Sequence, residues 1–211
     1  MSIRVFTPIY KMVIEPEREY KIAFNSTTSD GELAGQDADY ETCHDAADAH
    51  HSSSGTHSLM GQTLVAGTYS IWRSVLFFWT AAIPATAIIG KASLKIYGEW
   101  DRSDTEFLIQ VVDGSDVHDP LVNSDYGALL DEVISFGYRQ SSVWITEGYN
   151  LIVLNSAGVA AINKLGMTKL AIRSSRDIGE DTPAGMEYVS YYNADKGAGY
   201  KPILEIEYTV P

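Results

Sequence analysis

The sequence has few cysteines, few basic residues and no long apolar run, and each shortage excludes a class of protein. A single cysteine, Cys43, excludes an internal disulfide, so packing must stabilise the fold. Only 15 lysines and arginines stand against 28 acidic residues, and the formal net charge of −13 would repel the phosphates of a nucleic acid. We therefore expect no nucleic-acid partner. The acidic surface suits solubility, cation binding in loops, or docking onto a basic partner.

The most apolar stretch, residues 75–89, is too short for a membrane span. Pro84 divides it, and a spanning helix needs roughly 20 apolar residues. The opening residues, MSIRVFTPIYKMVIEPEREYK, lack the uninterrupted apolar segment of a secretory signal. We therefore expect no membrane partner and no export signal, so an extracellular role would require release by lysis or within an assembly.

Residues 71–98 form the stretch around which the chain is organised. The apolar run from Val75 to Trp79 has the length of one buried strand, and Pro84 ends it by removing a backbone donor. After that turn, Ala92, Leu94 and Ile96 alternate with polar residues, which is the pattern of a half-buried strand.

The remaining strand signals predict an all-β fold. They lie at residues 20–24, 59–65, 69–79, 105–113, 143–147, 149–154, 167–173, 187–192 and 201–209. Residues 128–136 fit a helix or a strand equally well. One short helix is predicted near residues 156–165, with Ser156 as a possible N-cap and Gly166 after its end. The spacing of strands and turns indicates an antiparallel β-sandwich that is jelly-roll-like.

The chain divides into two predicted parts. Residues 1–19 are interrupted by Pro8 and Pro16 and end in the charged segment EPERE, so they read as an N-terminal arm or a first strand. Residues 20–211 form the sandwich domain. Its long polar segment at 25–58 is predicted as a loop region, with short strands at residues 31–33 as an alternative.

Two groups of residues could hold a cation. Asp113, Asp116 and Asp119 lie in a turn-rich loop and offer the carboxylate oxygens that Ca²⁺ prefers, although ordinary turn chemistry explains them equally well. The other group is rich in histidine and acid, but its spacing matches no closed metal site; it comprises His44, Asp45, Asp48, His50, His51 and His57.

Catalytic motifs are missing from the sequence. It has no nucleophile elbow, no phosphate-binding glycine loop and no His-Glu-x-x-His segment. Cys43 and His44 are adjacent in sequence, which is not the geometry of a catalytic pair. Many carboxylates could serve a glycosidase, but the sequence does not pair them. We therefore expect a protein that is not an enzyme.

The aromatic residues allow two interpretations. Tyr97 and Trp100, with Trp144 and the group Tyr188, Tyr191 and Tyr192, could form a stacking platform for sugars or a protein interface. Aromatic residues within strands are more often part of the core. We retain Trp100 and Tyr97 as candidate ligand or interface residues.

Several segments together resemble the DNRLRE-domain family, whose members are β-sandwiches akin to carbohydrate-binding modules. The segments are DGELAGQDADYETCHDA, YSIWRSVLFFWTAAIPATAIIGKASLKIYG, VHDPLVNSDYG, YNLIVLNSAGVAAINKLGMTKLAIRSSRDI and EYVSYYNADKGAGYKPILEIEYT. The resemblance covers about residues 20–211. Trp79 departs from it, since relatives often carry Asp there.

The resemblance implies a jelly-roll-like sandwich without a fixed activity. Stand-alone relatives in phage and viral genomes imply a non-enzymatic virion structural protein, such as a capsid decoration, head-fibre or tail-fibre component. It would form a homo-oligomer and contact other virion proteins through its N-terminal arm. The alternative is a carbohydrate-binding adhesion module, and a polysaccharide-degrading enzyme is a third. Fold alone does not separate them.

Overall fold

A computed structural model describes residues 18–53 and 55–211, and strands dominate it. The strands are β1 (Arg18–Asn25), β2 (Gly31–Asp37), β3 (His51–Ser53), β4 (His57–Val65), β5 (Thr68–Trp79), β6 (Ile88–Ser103), β7 (Leu108–Asp113), β8 (Gly137–Gln140), β9 (Gly148–Val153), β10 (Met167–Ser174), β11 (Met186–Tyr192) and β12 (Ile203–Val210). The short helices are α1 (Tyr40–His44), α2 (Asp125–Ala128), α3 (Ser156–Ala160) and α4 (Ser175–Ile178). Within these residues no helix is long and apolar enough to cross a membrane.

The strand pairs are antiparallel and join into one network, in the order β1-β12-β6-β11-β4-β5-β10-β7-β8. The long strands β5 and β6 connect its parts. Along one edge of β6, β12 pairs with residues 88–95 and β11 with residues 97–103, while β9 pairs on the opposite edge. The predicted all-β, antiparallel, jelly-roll-like sandwich is confirmed.

The sheet encloses a main core and carries a second apolar layer on one outer face. In β5, Leu76 and Phe78 point into the main core, whereas Val75 and Phe77 point into the second layer. Residues of α1, α2 and the loop before α2 cover that second layer. Because β5 is buried on both faces, it reads as the continuous apolar run seen in the sequence.

Two buried arginines fasten the second layer to the sheet. Arg73 on β5 and Arg173 on β10 both contact the carboxylate of Asp177, at 2.9 and 3.1 Å for Arg73 and 2.7 Å for Arg173. Arg73 also donates to the carbonyls of Tyr126 and His44, at 2.8 and 3.1 Å. Arg173 donates to three carbonyls of residues 129–132. One carboxylate and two guanidinium groups thus hold the two segments that cover the second layer, one at α1 and the other from α2 to residue 132.

Burial by itself would raise the pKa of Asp177. The positive charges of Arg73 and Arg173 outweigh burial and hold the pKa well below the usual range of an aspartate. The carboxylate is therefore ionised near neutral pH.

The structure corrects the predicted secondary structure at several places. The segment at 25–58, predicted as a loop region, contains β2, α1 and β3, and residues 129–136 form neither a helix nor a strand. Residues 143–147 are not a strand, because the side chain of Asn150 bonds both the N–H and the carbonyl of Ile145 at 2.8 Å and so takes the place of a partner strand. Among the described residues the predicted single helix is α3, but three further short α-helices accompany it. Asn155, rather than Ser156, caps α3 by accepting from the Gly158 N–H at 3.1 Å.

The predicted boundary at residue 19 lies within β1, which begins at Arg18. Residues 1–17, most of the predicted arm, lie outside the described residues. The arm therefore stays a prediction.

We predict that Asp177→Asn destabilises the protein by about 3–5 kcal/mol, because it leaves two buried guanidinium groups without a counter-charge. The free energy of unfolding from urea titration measures this. The control Asp181→Asn removes an exposed carboxylate and should change stability by less than about 0.5 kcal/mol. Equal effects of the two substitutions would contradict the role given to Asp177.

Candidate interaction surfaces

The first candidate surface is the outer edge of β1. Along Arg18–Asn25 this strand pairs with β12, and in the described ranges no other strand pairs with its second edge. Most of its side chains are exposed, while Ile22 and Phe24 pack against the main core. An edge of this kind presents free N–H and carbonyl groups to another strand.

The second candidate surface is a row of aromatic side chains on the outer face of the sheet. His57, Tyr192, Tyr97 and Tyr149 occupy directly opposite positions on β4, β11, β6 and β9, and we call them the aromatic row. The ring centroids of Tyr97 lie 5.9 Å from Tyr192 and 5.2 Å from Tyr149. With strands spaced about 4.8 Å apart, the row extends over roughly 14 Å.

Further groups enlarge the aromatic row, Trp100 at one end and Tyr200 and Lys196 beside its inner members. Trp100 is 47% exposed, and its ring lies 5.7 Å from that of His57. Tyr200 packs edge-on against both Tyr97 and Tyr192, at 4.9 and 5.1 Å. The Lys196 ammonium lies 4.2 Å from the centre of the Tyr192 ring. The structure thus brings both predicted ligand residues, Trp100 and Tyr97, into one surface.

The other aromatic residues considered from sequence do not join this surface. Trp144 and Tyr191 are buried in the main core. Tyr188 packs against Trp72, with ring centroids 5.2 Å apart. The platform interpretation therefore applies to only part of the predicted set.

The predicted calcium ligands lie in ordinary turn geometry. Asp113 is half-buried at the end of β7 and accepts the Ser115 N–H at 2.9 Å, whereas Asp116 and Asp119 are exposed. The residue that organises this loop is Asp125, which is buried and accepts from the N–H groups of His118 and Val122. In residues 18–53 and 55–211, no three His, Cys, Asp or Glu residues are grouped to hold a metal ion. Calcium binding stays a prediction.

Cys43 and His44 do not form a nucleophile pair. The Cys43 thiol is buried and points to the carbonyl of Tyr69, and burial raises its pKa to about 11, so it is not ionised near neutral pH. The His44 ring instead bonds the Asp45 carboxylate at 2.6 Å and the Asp177 carbonyl at 2.9 Å. Both residues therefore have a structural role in the region of the second apolar layer.

Two buried carboxyls lie on or next to β2. Asp30 and Glu32 are 0% and 5% exposed. Asp30 accepts the N–H of Ala194, and Glu32 accepts the N–H of Leu59. Burial raises the pKa of each carboxyl to about 7. Their burial keeps them from flanking a sugar bond, so they give no support to the polysaccharide-degrading alternative.

The comparisons with known proteins leave the family open. No family model matches the chain, and no curated protein matches it, so the DNRLRE resemblance stays a hypothesis. Among solved structures, the chain is similar to one in a cryo-EM structure of Mud crab tombus-like virus, with 8% identity and a TM-score of 0.31 over 99% of this chain and 88% of that chain. At this score the similarity bears on neither fold nor function.

We predict that the protein loses stability as the pH rises from about 5 to about 8. A carboxyl whose pKa is raised by folding binds its proton more tightly in the folded state, so its contribution is greatest below the unfolded pKa and is lost as pH rises through about 7. Urea midpoints at both pH values measure the effect. Asp30→Asn should flatten the dependence and the exposed control Asp116→Asn should preserve it; a steeper or unchanged slope in Asp30→Asn would contradict the assignment.

Proposed function

We propose that this protein is a non-enzymatic structural component of a virion that assembles by exchanging its N-terminal segment between copies. The open edge of β1 is the observation that carries the proposal. Strand addition to a sheet edge satisfies backbone groups that otherwise face solvent, and it is a recurring mode of assembly between chains.

The sequence next to this edge suits strand exchange. Residues 9–14, IYKMVI, are mostly apolar, and three residues separate them from the start of β1. A strand added to β1 from a neighbouring copy would extend the sheet beside Ile22 and Phe24, which already pack against the core. The free edge and the apolar segment therefore supply the two halves of a contact between copies.

The assignment to a virion rests on the sequence resemblance to stand-alone phage and viral proteins. A capsid decoration, a head fibre and a tail fibre would each use an acidic sandwich tethered through one segment. The formal charge of −13 keeps such domains apart in solution, so a backbone-mediated contact supplies attraction that the surface charge does not.

Removing residues 1–17 should reduce the size of the multimer. We expect the full chain to elute as a multimer in size-exclusion chromatography with light scattering, and a chain that starts at Arg18 to have a lower mass, no greater than that of two subunits. Matching circular dichroism spectra would establish that the shortened chain is folded. A folded short chain that keeps the multimer mass would contradict strand exchange.

A second candidate, glycan adhesion, is favoured by the aromatic row. Sugars offer apolar C–H faces that stack on aromatic rings and hydroxyls that bond polar groups. Trp100 and His57 present rings at one end, with the Glu99 carboxylate 4.0 Å from the His57 ring nitrogen. This site would add host or surface adhesion to a structural role.

The matched pair Trp100→Ala and Trp79→Ala tests this candidate. The two tryptophans are 47% and 58% exposed, but Trp79 lies at the end of β5, outside the aromatic row. We expect pull-down by insoluble cellulose, chitin or mannan to fall about tenfold in Trp100→Ala and to be unchanged in Trp79→Ala. No binding of the unmodified protein to any of the three, or equal loss in both variants, would reject glycan adhesion.

A further inference from the structure

Strand β9 is apolar on both faces, although only one face is covered. Residues 151–154, LIVL, place Ile152 and Leu154 in the main core. Leu151 and Val153 lie on the opposite face and are 46% and 52% exposed. In an antiparallel sheet a solvent-facing strand normally carries polar residues on its outer side, so this pattern is typical of a strand covered on both faces.

The neighbouring strand β6 and the two strands beyond it, β12 and β1, carry a charge network whose signs alternate. On the same outer face, Lys91, Glu207, Lys21, Glu205 and Lys95 follow one another across β6, β12 and β1. Successive members are separated by 3.9, 3.5, 3.4 and 2.7 Å between nitrogen and oxygen. Each charge therefore has an opposite neighbour, and the network as a whole carries only +1.

This face is the place where a second copy can approach. Two chains with a formal charge of −13 repel each other through their acidic surfaces, and a face with compensated charge removes that repulsion. Alternating signs are also self-complementary, because lysines of one copy can meet glutamates of the other. A strongly charged partner of either sign would find no excess of opposite charge here.

We propose that two copies associate through the outer face of β9, with the two-fold axis beside Leu151 and Val153. In an isologous contact the same patch meets itself, so each of these side chains packs against its own counterpart. The Lys95–Glu205 pair borders the apolar patch and forms its polar rim. This contact rests on the proposed assembly role, and it uses a face of the sheet rather than the β1 edge.

A cysteine placed at the proposed axis tests the contact in the full chain. The native thiol, Cys43, is buried, so Val153→Cys introduces an accessible thiol next to its own symmetry mate. The control Val65→Cys lies at the β4–β5 turn with a similar exposure, 50% against 52%. Under mild oxidation we expect Val153→Cys to give disulfide-linked dimers and Val65→Cys to give few. Equal cross-linking of the two, or none at position 153, would overturn the proposal.

A second measurement does not depend on cross-linking. Leu151→Glu buries a charge in the contact, and we expect it to raise the dimer dissociation constant at least about tenfold in sedimentation velocity, while Val65→Glu leaves it unchanged. An unchanged dissociation constant in Leu151→Glu would overturn the proposed contact through this face. Failure of strand exchange looks different: the chain that starts at Arg18 keeps its multimer mass while the cross-link at Val153 persists.

Discussion

The buried Arg73–Asp177–Arg173 cluster is the interaction on which the arrangement of the outer layer depends. Its guanidinium groups leave the sheet from β5 and β10 and reach the carbonyls of two separate loops. A single carboxylate compensates the charge of the two guanidinium groups only in part. The backbone carbonyls of the covering segments accept the hydrogen bonds that the carboxylate does not. This covers one outer face of the sheet with the chain's own residues and leaves other faces and edges for partners.

The strand content could be predicted because its signal is local. Period-two alternation in β6 identifies a strand without knowledge of the fold. The second layer could not be predicted, since it depends on a pairing between residues that are far apart in the sequence. Arg73 points away from the main core, but it is fully buried because Asp177 arrives from more than a hundred residues away. No spacing rule connects the two.

The candidate surfaces could likewise be predicted from the sequence only in part. Tyr97 and Trp100 could be singled out by residue type, but the aromatic row depends on register between four strands, which turns and bulges set. The apolar outer side of β9 is visible in the sequence as the run NLIVL, which by itself predicts only a strand. Its excess of apolar residues was the usable signal. Nothing in the spacing of Asp113, Asp116 and Asp119 distinguished a cation site from turns.

The function we propose relies on contact between chains, through an open sheet edge, a charge-compensated face and a half-buried aromatic row. Native mass spectrometry of the full chain, over a range of protein concentrations, tests this most directly. The account predicts species at integer multiples of 23.2 kDa that grow with concentration. A single species at 23.2 kDa throughout would contradict it.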